Sequence, residues 1–271
     1  LKARHNLNFT IGKQFVNFGG YEYYVNSIRV REFSEFNNLL TAYQAGISGN
    51  WQVNPDHELC FQIVNNRNGN DEDIYPTGLP EGTAKAKIPF MYTVNWNSYY
   101  LDKSLQLRYA TAVGQQTRKR YSYYFTCGNT YEKGPLLTYL DVMYTRQGID
   151  QHGVVSRLPG TPHTAMNTEY LSIIGDVDYR VHPQWNVYVK GAYETARVYK
   201  GNGDFRKGMY RRSWNAQSSV EFFPFKQLDL FVFVLYTYRG VILEKAATRM
   251  GAIEPDTHRI SLGLVYSIPV F

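Results

Sequence analysis

Apolar and polar residues alternate along most of the chain. Between Leu228 and Arg239, one parity is apolar or aromatic, and the other mixes Asp229, Thr237 and Arg239 with apolar residues. Period two is the pattern of a β-strand, whose successive side chains point to opposite faces. The pattern recurs in twelve segments: 5–14, 41–53, 58–66, 85–97, 104–115, 120–129, 135–146, 168–181, 185–198, 210–223, 228–239 and 257–271. Strands that fill the chain without intervening helices predict a closed antiparallel β-barrel in one domain spanning residues 1–271.

The predicted connections between strands alternate in length. Residues 54–57, 182–184 and 224–227 are short, whereas 15–40, 66–84, 147–167, 199–209 and 240–256 are long and polar. Residues 116–119 are an exception, since they form a short connection where a long one is expected. Short turns at one rim and long loops at the other are typical of outer-membrane barrels. The sequence therefore predicts a transmembrane barrel of about twelve strands.

The composition supports a membrane setting. The 271 residues include 24 Tyr, 15 Phe and 4 Trp, and Tyr and Trp favour the interface between lipid and water. Predicted outward positions beside the short turns include Trp51, Trp96 and Trp185, and Tyr109 and Tyr210 are predicted near the long loops. Outer-membrane lipid and lipopolysaccharide are the expected surroundings of this surface. A soluble β-sandwich would use the same residues as core.

The opposite parity is predicted to line the lumen, and its bases outnumber its acids. The expected channel-lining and anion-binding bases are Lys85, Lys87, Arg108, Arg180, Lys190, Arg211, Arg239 and Arg259, together with Arg29 and Arg31 of the first long loop. The acids are Asp141, Asp176, Asp178, Glu194, Glu221 and Asp229. The formal net charge of +6 agrees with a basic lumen, which concentrates small anions. The bases are dispersed rather than clustered, which argues against nucleic acid as a partner.

Segment 15–40 differs from the other long connections because it is rich in aromatic residues. It contains Phe15, Phe18, Tyr21, Glu22, Tyr23 and Tyr24. An aromatic loop that folds inward would narrow a barrel and bring Arg29 and Arg31 to the solute. Packing over the rim, or a further strand within the loop, is an equally open interpretation.

Catalysis, cofactors and metals have little support in the sequence. The chain has two cysteines, Cys60 and Cys127, predicted on opposite faces of the wall, and no metal-binding motif. None of the six histidines is followed by a serine two residues later, as an outer-membrane lipid hydrolase would require to place both on one face. We therefore expect no enzyme activity, no cofactor and no bound metal.

Residues 12–22 resemble a stretch of the phosphate-selective porin family of Gram-negative outer membranes. Gly12-Lys13-Gln14-Phe15-Val16-Asn17-Phe18-Gly19-Gly20-Tyr21-Glu22 is similar to the family's glycine–base–Gln, Phe-Gly and Glu pattern. The resemblance implies a sixteen-stranded barrel, commonly a homotrimer, with an inward-folded third loop and lumenal bases that pass anions. It further implies that the twelve strands are the last twelve of sixteen and that 15–40 is the third loop.

The sequence thus favours an integral outer-membrane porin that passes small solutes by diffusion, with a bias toward anions such as phosphate. Three alternatives remain open: a complete twelve-stranded monomeric channel for acidic oligosaccharides or nucleosides, a structural or assembly barrel plugged by loops such as 147–167, and a lipid hydrolase.

Overall fold

The computed structural model describes residues 2–4, 6–25, 33–34, 43–66, 75, 77–84, 86–87, 89–151, 153–158, 163–225 and 230–266. These residues form one antiparallel sheet in which every strand pairs with its neighbours in sequence. The strands are β1 (Lys2–Arg4), β2 (Leu7–Phe15), β3 (Tyr43–Asn54), β4 (His57–Asn65), β5 (Phe90–Tyr100), β6 (Leu105–Thr117), β7 (Arg120–Lys133), β8 (Leu136–Ile149), β9 (Met166–His182), β10 (Trp185–Val198), β11 (Gly208–Phe222), β12 (Leu230–Leu243) and β13 (Thr257–Tyr266). Two four-residue helices are α1 (Tyr21–Tyr24) and α2 (Lys245–Thr248).

Strands β2 to β13 correspond to the twelve predicted strands, and the short β1 is additional. The main difference lies in β5, which begins at Phe90 and not at residue 85. Lys87 therefore precedes the strand and is exposed. Several strands also run longer than predicted, because the alternation of β7, β8 and β12 continues into the connections. The prediction of an all-β antiparallel architecture is confirmed.

The alternation of burial along each strand separates two faces of the sheet. In β5, Met91, Thr93 and Asn95 are buried, whereas Tyr92 and Trp96 are each 53% exposed. The exposed parity carries the apolar and aromatic side chains predicted to face outward. We call the buried parity the inner face. Cys60 is buried on the inner face of β4, whereas Cys127 belongs to the other parity of β7, and both are free thiols.

Two of the predicted rim aromatics lie elsewhere. Tyr109 pairs with Trp96 across β5 and β6, so it lies near the short turns rather than the long loops. Tyr210 is 1% exposed and packs inside the molecule at 6.4 Å from Phe205, measured between ring centroids. Both positions follow from strand register and loop packing, which the alternation does not specify.

The sheet curves around a segment that follows β2. Residues 15–25, which we call the inner segment, contact inner-face residues of β3, β4, β6, β7, β8 and β10. One short segment can reach all these strands only if the sheet wraps around it. Among the described residues, β1 and β13 form the two edges of the sheet and do not pair with each other. The sixteen-strand count stays a prediction.

Candidate functional site

The inner segment starts where β2 ends, and it first contacts β4. The backbone N–H of Asn17 donates to Gln62 Oε1 at 2.7 Å, and the Asn17 side chain donates to Cys60 Sγ at 2.8 Å. Phe18 is fully buried, with its ring centroid 5.6 Å from that of Tyr124 on β7. The segment therefore leaves the rim and lies against the inner face.

A buried carboxylate on β8 anchors the first turn of α1. Asp141 is fully buried, and its two oxygens accept the backbone N–H groups of Tyr21 and Glu22 at 3.0 Å each. These are N–H groups that the helix itself leaves without partners. The contact fixes the position of the inner segment relative to the wall.

An ion pair joins the inner segment to β10. Lys190 Nζ lies 2.9 Å from Glu22 Oε2, and both side chains are 0% exposed. The other Glu22 oxygen, Oε1, accepts the backbone N–H of Ser34, so the chain returns to the same point after residues 26–32. A buried pair of this kind is stable only when both charges are matched. Lys190, predicted as a solute-contacting base, is therefore placed as a partner of Glu22 without solvent exposure.

Two glycines allow the inner segment to approach the wall. A Cβ on Gly20 would overlap the carboxylate of Asp141, and a Cβ on Gly128 would lie 2.6 Å from the Cα of Gly20. Neither glycine has a positive φ. The requirement at both positions is therefore space rather than backbone freedom.

Aromatic side chains surround the end of the inner segment. The ring of Phe15 lies 5.0 Å from that of Tyr23 and 5.3 Å from that of Tyr24, and the Tyr21 ring lies 4.7 Å from that of Tyr139. Arg108 on β6 stacks over Tyr24 at 4.5 Å, a cation–π contact. Burial raises the pKa values of Tyr23 and Tyr24, so both phenols stay neutral at physiological pH.

Two predicted lumenal arginines bind one loop carboxylate. Arg211 on β11 donates from Nε to Glu254 Oε2 at 2.7 Å and from Nη2 to Glu254 Oε1 at 2.8 Å. Arg239 on β12 lies 3.1 Å from Glu254 Oε1 through its Nη2 atom. Arg211 is only 2% exposed, and Glu254 and Arg239 are partly exposed. The 244–256 connection therefore bends over the inner face.

The remaining predicted bases are less enclosed. Arg180 stacks over the ring of Phe223 at 3.8 Å, beside the short turns. Arg259 on β13 is exposed on the inner face, in register with Thr237. Arg29, Arg31, Lys85 and Asp229 lie outside the described residues.

The inner face also carries acids that were not among the predicted lumenal acids. Glu58 on β4 and Glu132 on β7 share the inner parity. On the inner face of the described strands, acidic and basic side chains are therefore nearly equal in number, but the two signs are unevenly distributed between the ends of the strands. Arg211, Arg239 and Arg259 lie toward the long loops, and Asp176, Asp178 and Glu221 lie toward the short turns of β9 and β11.

Sequence reasoning missed a buried hydrogen-bond network in the 147–167 connection. Asp150 accepts hydrogen bonds from Ser156 N at 2.9 Å, Ser156 Oγ at 2.6 Å, Thr168 Oγ1 at 3.2 Å and the Tyr170 hydroxyl. Val155 is fully buried. Burial raises the pKa of Asp150 despite these four donors. Ser156 lies in the connection, whereas Thr168 and Tyr170 lie in β9, and no local sequence pattern signals that they meet Asp150.

A second missed contact joins His57 and Ser98 across β4 and β5. His57 Nδ1 lies 3.0 Å from Ser98 Oγ, and the two residues are register partners. The prediction considered serines near each histidine in sequence, whereas strand pairing brings this pair together. Ser98 is 5% exposed. Within the described part of the chain, no group of three His, Cys, Asp or Glu side chains is arranged to hold a metal.

The described helices are also short. None of them combines the length and apolar character needed to cross a membrane.

Comparisons with solved structures identify related architectures. The outer membrane channel DcaP of Acinetobacter baumannii aligns with 96% of this chain and 72% of its own, at 13% identity and a TM-score of 0.63. OmpT, an outer membrane protein of Vibrio cholerae, aligns as a loop-deletion mutant with 97% of this chain and 76% of its own, at 11% identity and a TM-score of 0.56. The in-vitro folded form of OmpT aligns at 12% identity with a TM-score of 0.54, over 95% of this chain and 75% of its own. At these identities the similarity establishes the fold.

Family membership comes from the sequence. No curated protein matches the chain. A family model described as phosphate-selective porin O and P matches residues 2–268, nearly the whole length. The match includes residues 12–22 and every strand from β1 to β13, so the family resemblance predicted from residues 12–22 is confirmed. The chain belongs to the phosphate-selective porin O and P family, and it is a porin of the Gram-negative outer membrane.

Proposed function

We propose that this porin conducts small anions, phosphate among them, by diffusion through the space inside the sheet. The observation that carries the proposal is the placement of Arg211, Arg239 and Arg259. These three bases lie on adjacent strands, on the inner face and near the long loops. Fixed positive charge at a channel mouth lowers the electrostatic cost of anion entry. The name of the family model supports phosphate as a solute.

The proposed selectivity is a bias rather than strict exclusion of cations. Asp176, Asp178 and Glu221 lie on the same face nearer the short turns, and Asn186 donates to Asp178 at 2.7 Å and to Glu221 at 3.2 Å. An anion that enters past the arginines then meets a less favourable potential. A modest preference follows from this arrangement.

The inner segment is the proposed constriction. Its contacts with β4, β7, β8 and β10 place a fixed layer of side chains inside the sheet. We extend the constriction to the whole of 15–40, including Arg29 and Arg31, as a prediction from the sequence. Such a layer sets a size limit by reducing the open cross-section.

The reversal potential across a planar bilayer in a potassium chloride gradient tests the anion bias. We expect an anion-selective potential that moves toward zero in the Arg239→Gln, Arg259→Gln double variant. Arg212→Gln is the matched control, since Arg212 lies on the opposite face of β11 and pairs with Glu244 at 2.9 Å. A cation-selective wild-type channel, or an equal shift in the control, would contradict the proposal.

A plugged barrel is the second candidate, and the Asp150 network favours it. The network holds residues 150–151 and 153–158 against the inner face of β9, where Tyr170 is 3% exposed. If the wild type shows no conductance and Asp150→Asn opens one, this connection is a plug. Conductance in the wild type rejects the plug.

We also propose that the chain is not an enzyme, although His57 and Ser98 offer a nucleophile and a base. No acidic side chain bonds the second imidazole nitrogen among the described residues, and nucleophilic dyads normally need such an orienting group. Phospholipid hydrolysis that is lost in Ser98→Ala would overturn this view.

The oligomeric state separates two further hypotheses. We propose a homotrimer, as the family resemblance implies. Native mass in detergent should equal three copies, whereas a monomer would favour the twelve-stranded channel for acidic oligosaccharides or nucleosides.

We also propose that the exposed bases Arg118 and Lys119, at the β6–β7 turn on the loop side, contact lipopolysaccharide phosphates. The Arg118→Gln, Lys119→Gln double variant should bind lipopolysaccharide more weakly than the wild type, and unchanged binding would contradict this contact.

A further inference from the structure

Glu254 occupies a site whose geometry suits a small oxyanion. Its two carboxylate oxygens take the parallel N–H bonds of Arg211 at 2.7 and 2.8 Å, and one oxygen also meets Arg239 at 3.1 Å. The paired donation from a planar guanidinium is the arrangement by which arginine recognises carboxylate and phosphate groups. A second arginine on the same oxygen leaves the three groups with a net positive charge.

From these contacts we propose that Arg211 and Arg239 form an oxyanion-binding site, and that the Glu254 carboxylate is a tethered competitor for it. The site would take phosphate or a small carboxylate. Both arginines lie on the inner face, so the ligand reaches them from the channel rather than from the lipid. This inference adds a binding site to the proposed anion conduction, and the role of that site in transport rests on the proposed function.

The competitor can leave without unfolding its loop. Ala247 and Ala252, which precede Glu254 in the 244–256 connection, are buried with exposures of 0% and 5%, and after Glu254 Asp256 accepts the Val241 N–H at 2.8 Å. Ile253, beside Glu254, is 81% exposed. Glu254 lies between these anchors and its side chain is 28% exposed, so we expect rotation of that side chain to vacate the two arginines while the anchors stay in place.

The burial of Arg211 favours a solute anion at the site once the carboxylate has left. Its side chain is 2% exposed, and a buried guanidinium without an anion is strongly unfavourable. A solute anion that takes the place of the Glu254 carboxylate compensates for this lost contact. Each arriving anion therefore exchanges with the carboxylate. The tethered carboxylate raises the apparent dissociation constant of the site by the reciprocal of the fraction of time that the arginines are open.

Calorimetric titration of inorganic phosphate into the detergent-solubilised protein tests the competition. We expect Glu254→Gln to bind phosphate about tenfold more tightly than the wild type, if the tethered carboxylate fills the site about nine-tenths of the time. Phosphate should also raise the thermal unfolding midpoint of Glu254→Gln more than that of the wild type, because it restores the missing counter-charge. Arg211→Lys added to Glu254→Gln should remove the gain.

Glu244→Gln is the matched control. Glu244 lies in the same connection, has the same 28% side-chain exposure, and pairs with Arg212 on the opposite face of β11. It should leave phosphate affinity unchanged. An equal gain in both variants would show that loss of any loop carboxylate suffices, which overturns the proposal.

Glu254→Asp separates competition from simple charge. Aspartate keeps the negative charge in the loop but withdraws it from the arginine pair by one methylene group. Competition predicts a phosphate affinity close to that of Glu254→Gln. An affinity equal to the wild type overturns the proposal, because charge near the site would then explain the result.

The binding test is independent of conduction. A channel that conducts anions but shows equal phosphate affinity in wild type and Glu254→Gln retains the proposed function and loses this inference. A protein that does not conduct, yet binds phosphate more tightly in Glu254→Gln than in Glu244→Gln, loses the proposed function and retains the site.

Discussion

The inner face of this sheet differs sharply between two regions. We call β7–β10 the covered wall, because the inner segment and residues 150–151 and 153–158 lie over it. Its inward Tyr124, Ile174 and Lys190 are at most 1% exposed. We call β2 and β13 the open wall, where inward Thr10 and Arg259 are exposed. Both walls have the same alternation of side chains. Coverage by the inner segment therefore makes Lys190 part of the folded interior, whereas Arg259, on the edge strand β13, remains exposed.

The largest effect is expected from the buried ion pair of the covered wall. Lys190→Met removes the positive charge that lies 2.9 Å from the buried Glu22 carboxylate and should reduce the free energy of unfolding by about 3–5 kcal/mol. Urea unfolding followed by tryptophan fluorescence measures this. The Glu22→Gln, Lys190→Met double variant should recover most of the loss, as a double-mutant cycle reports. Equal losses in the single and double variants would show that the pair does not act as a unit.

Asp150→Asn should come next, with a loss of about 1–3 kcal/mol, because the amide NH2 group replaces one accepting oxygen and leaves buried donors unsatisfied. The effect depends on pH. Because burial raises the pKa of Asp150 above its usual 3.8, the folded state binds this proton more tightly than the unfolded state does. Its contribution is therefore complete below pH 3.8 and is lost as pH rises through the higher folded value.

Unfolding of wild type and Asp150→Asn at a series of pH values isolates this dependence. The stability difference should shift against the wild type as pH rises. A difference that shifts in the opposite direction would mean that the four donors outweigh burial.

Gly20→Ala tests how closely the inner segment approaches the covered wall. The new methyl group overlaps Asp141, so we expect overpacking to cost about 1–3 kcal/mol and single-channel conductance to change as the segment shifts. Gly191→Ala is a suitable control, since a Cβ there meets nothing within 4 Å. An unchanged free energy of unfolding in Gly20→Ala would show that the inner segment can shift away from the covered wall without cost.

The smallest effect on stability belongs to the open wall. Arg259→Gln should change the free energy of unfolding by no more than about 0.5 kcal/mol, as exposed substitutions usually do. It should nevertheless reduce the anion component of the reversal potential. A loss of stability comparable to that of Lys190→Met would remove the distinction between the two walls.

The sequence was sufficient to predict the twelve long strands, apart from their exact ends, and the outward face of most of them. Trp96 and Val94 are outward because period two is set by the backbone alone. The roles of inward charges were not predictable, because the partners of Lys190 and Arg211 come from connections distant in sequence. Glu254 and Asp150 carry no local pattern at all. His57 and Ser98 meet through strand register, which single-sequence periodicity does not determine.

Pairing of each strand with its neighbour in sequence has a consequence for how the protein assembles. Hairpins such as β9–β10 need only local contacts, which form quickly. Tyr21 and Asp141 are 120 residues apart, and Glu22 meets Lys190 only once β10 is present. The inner segment can therefore settle only after most of the wall has been built. Nascent chains would pass through a wider, less obstructed intermediate, and narrowing would be a late step in biogenesis.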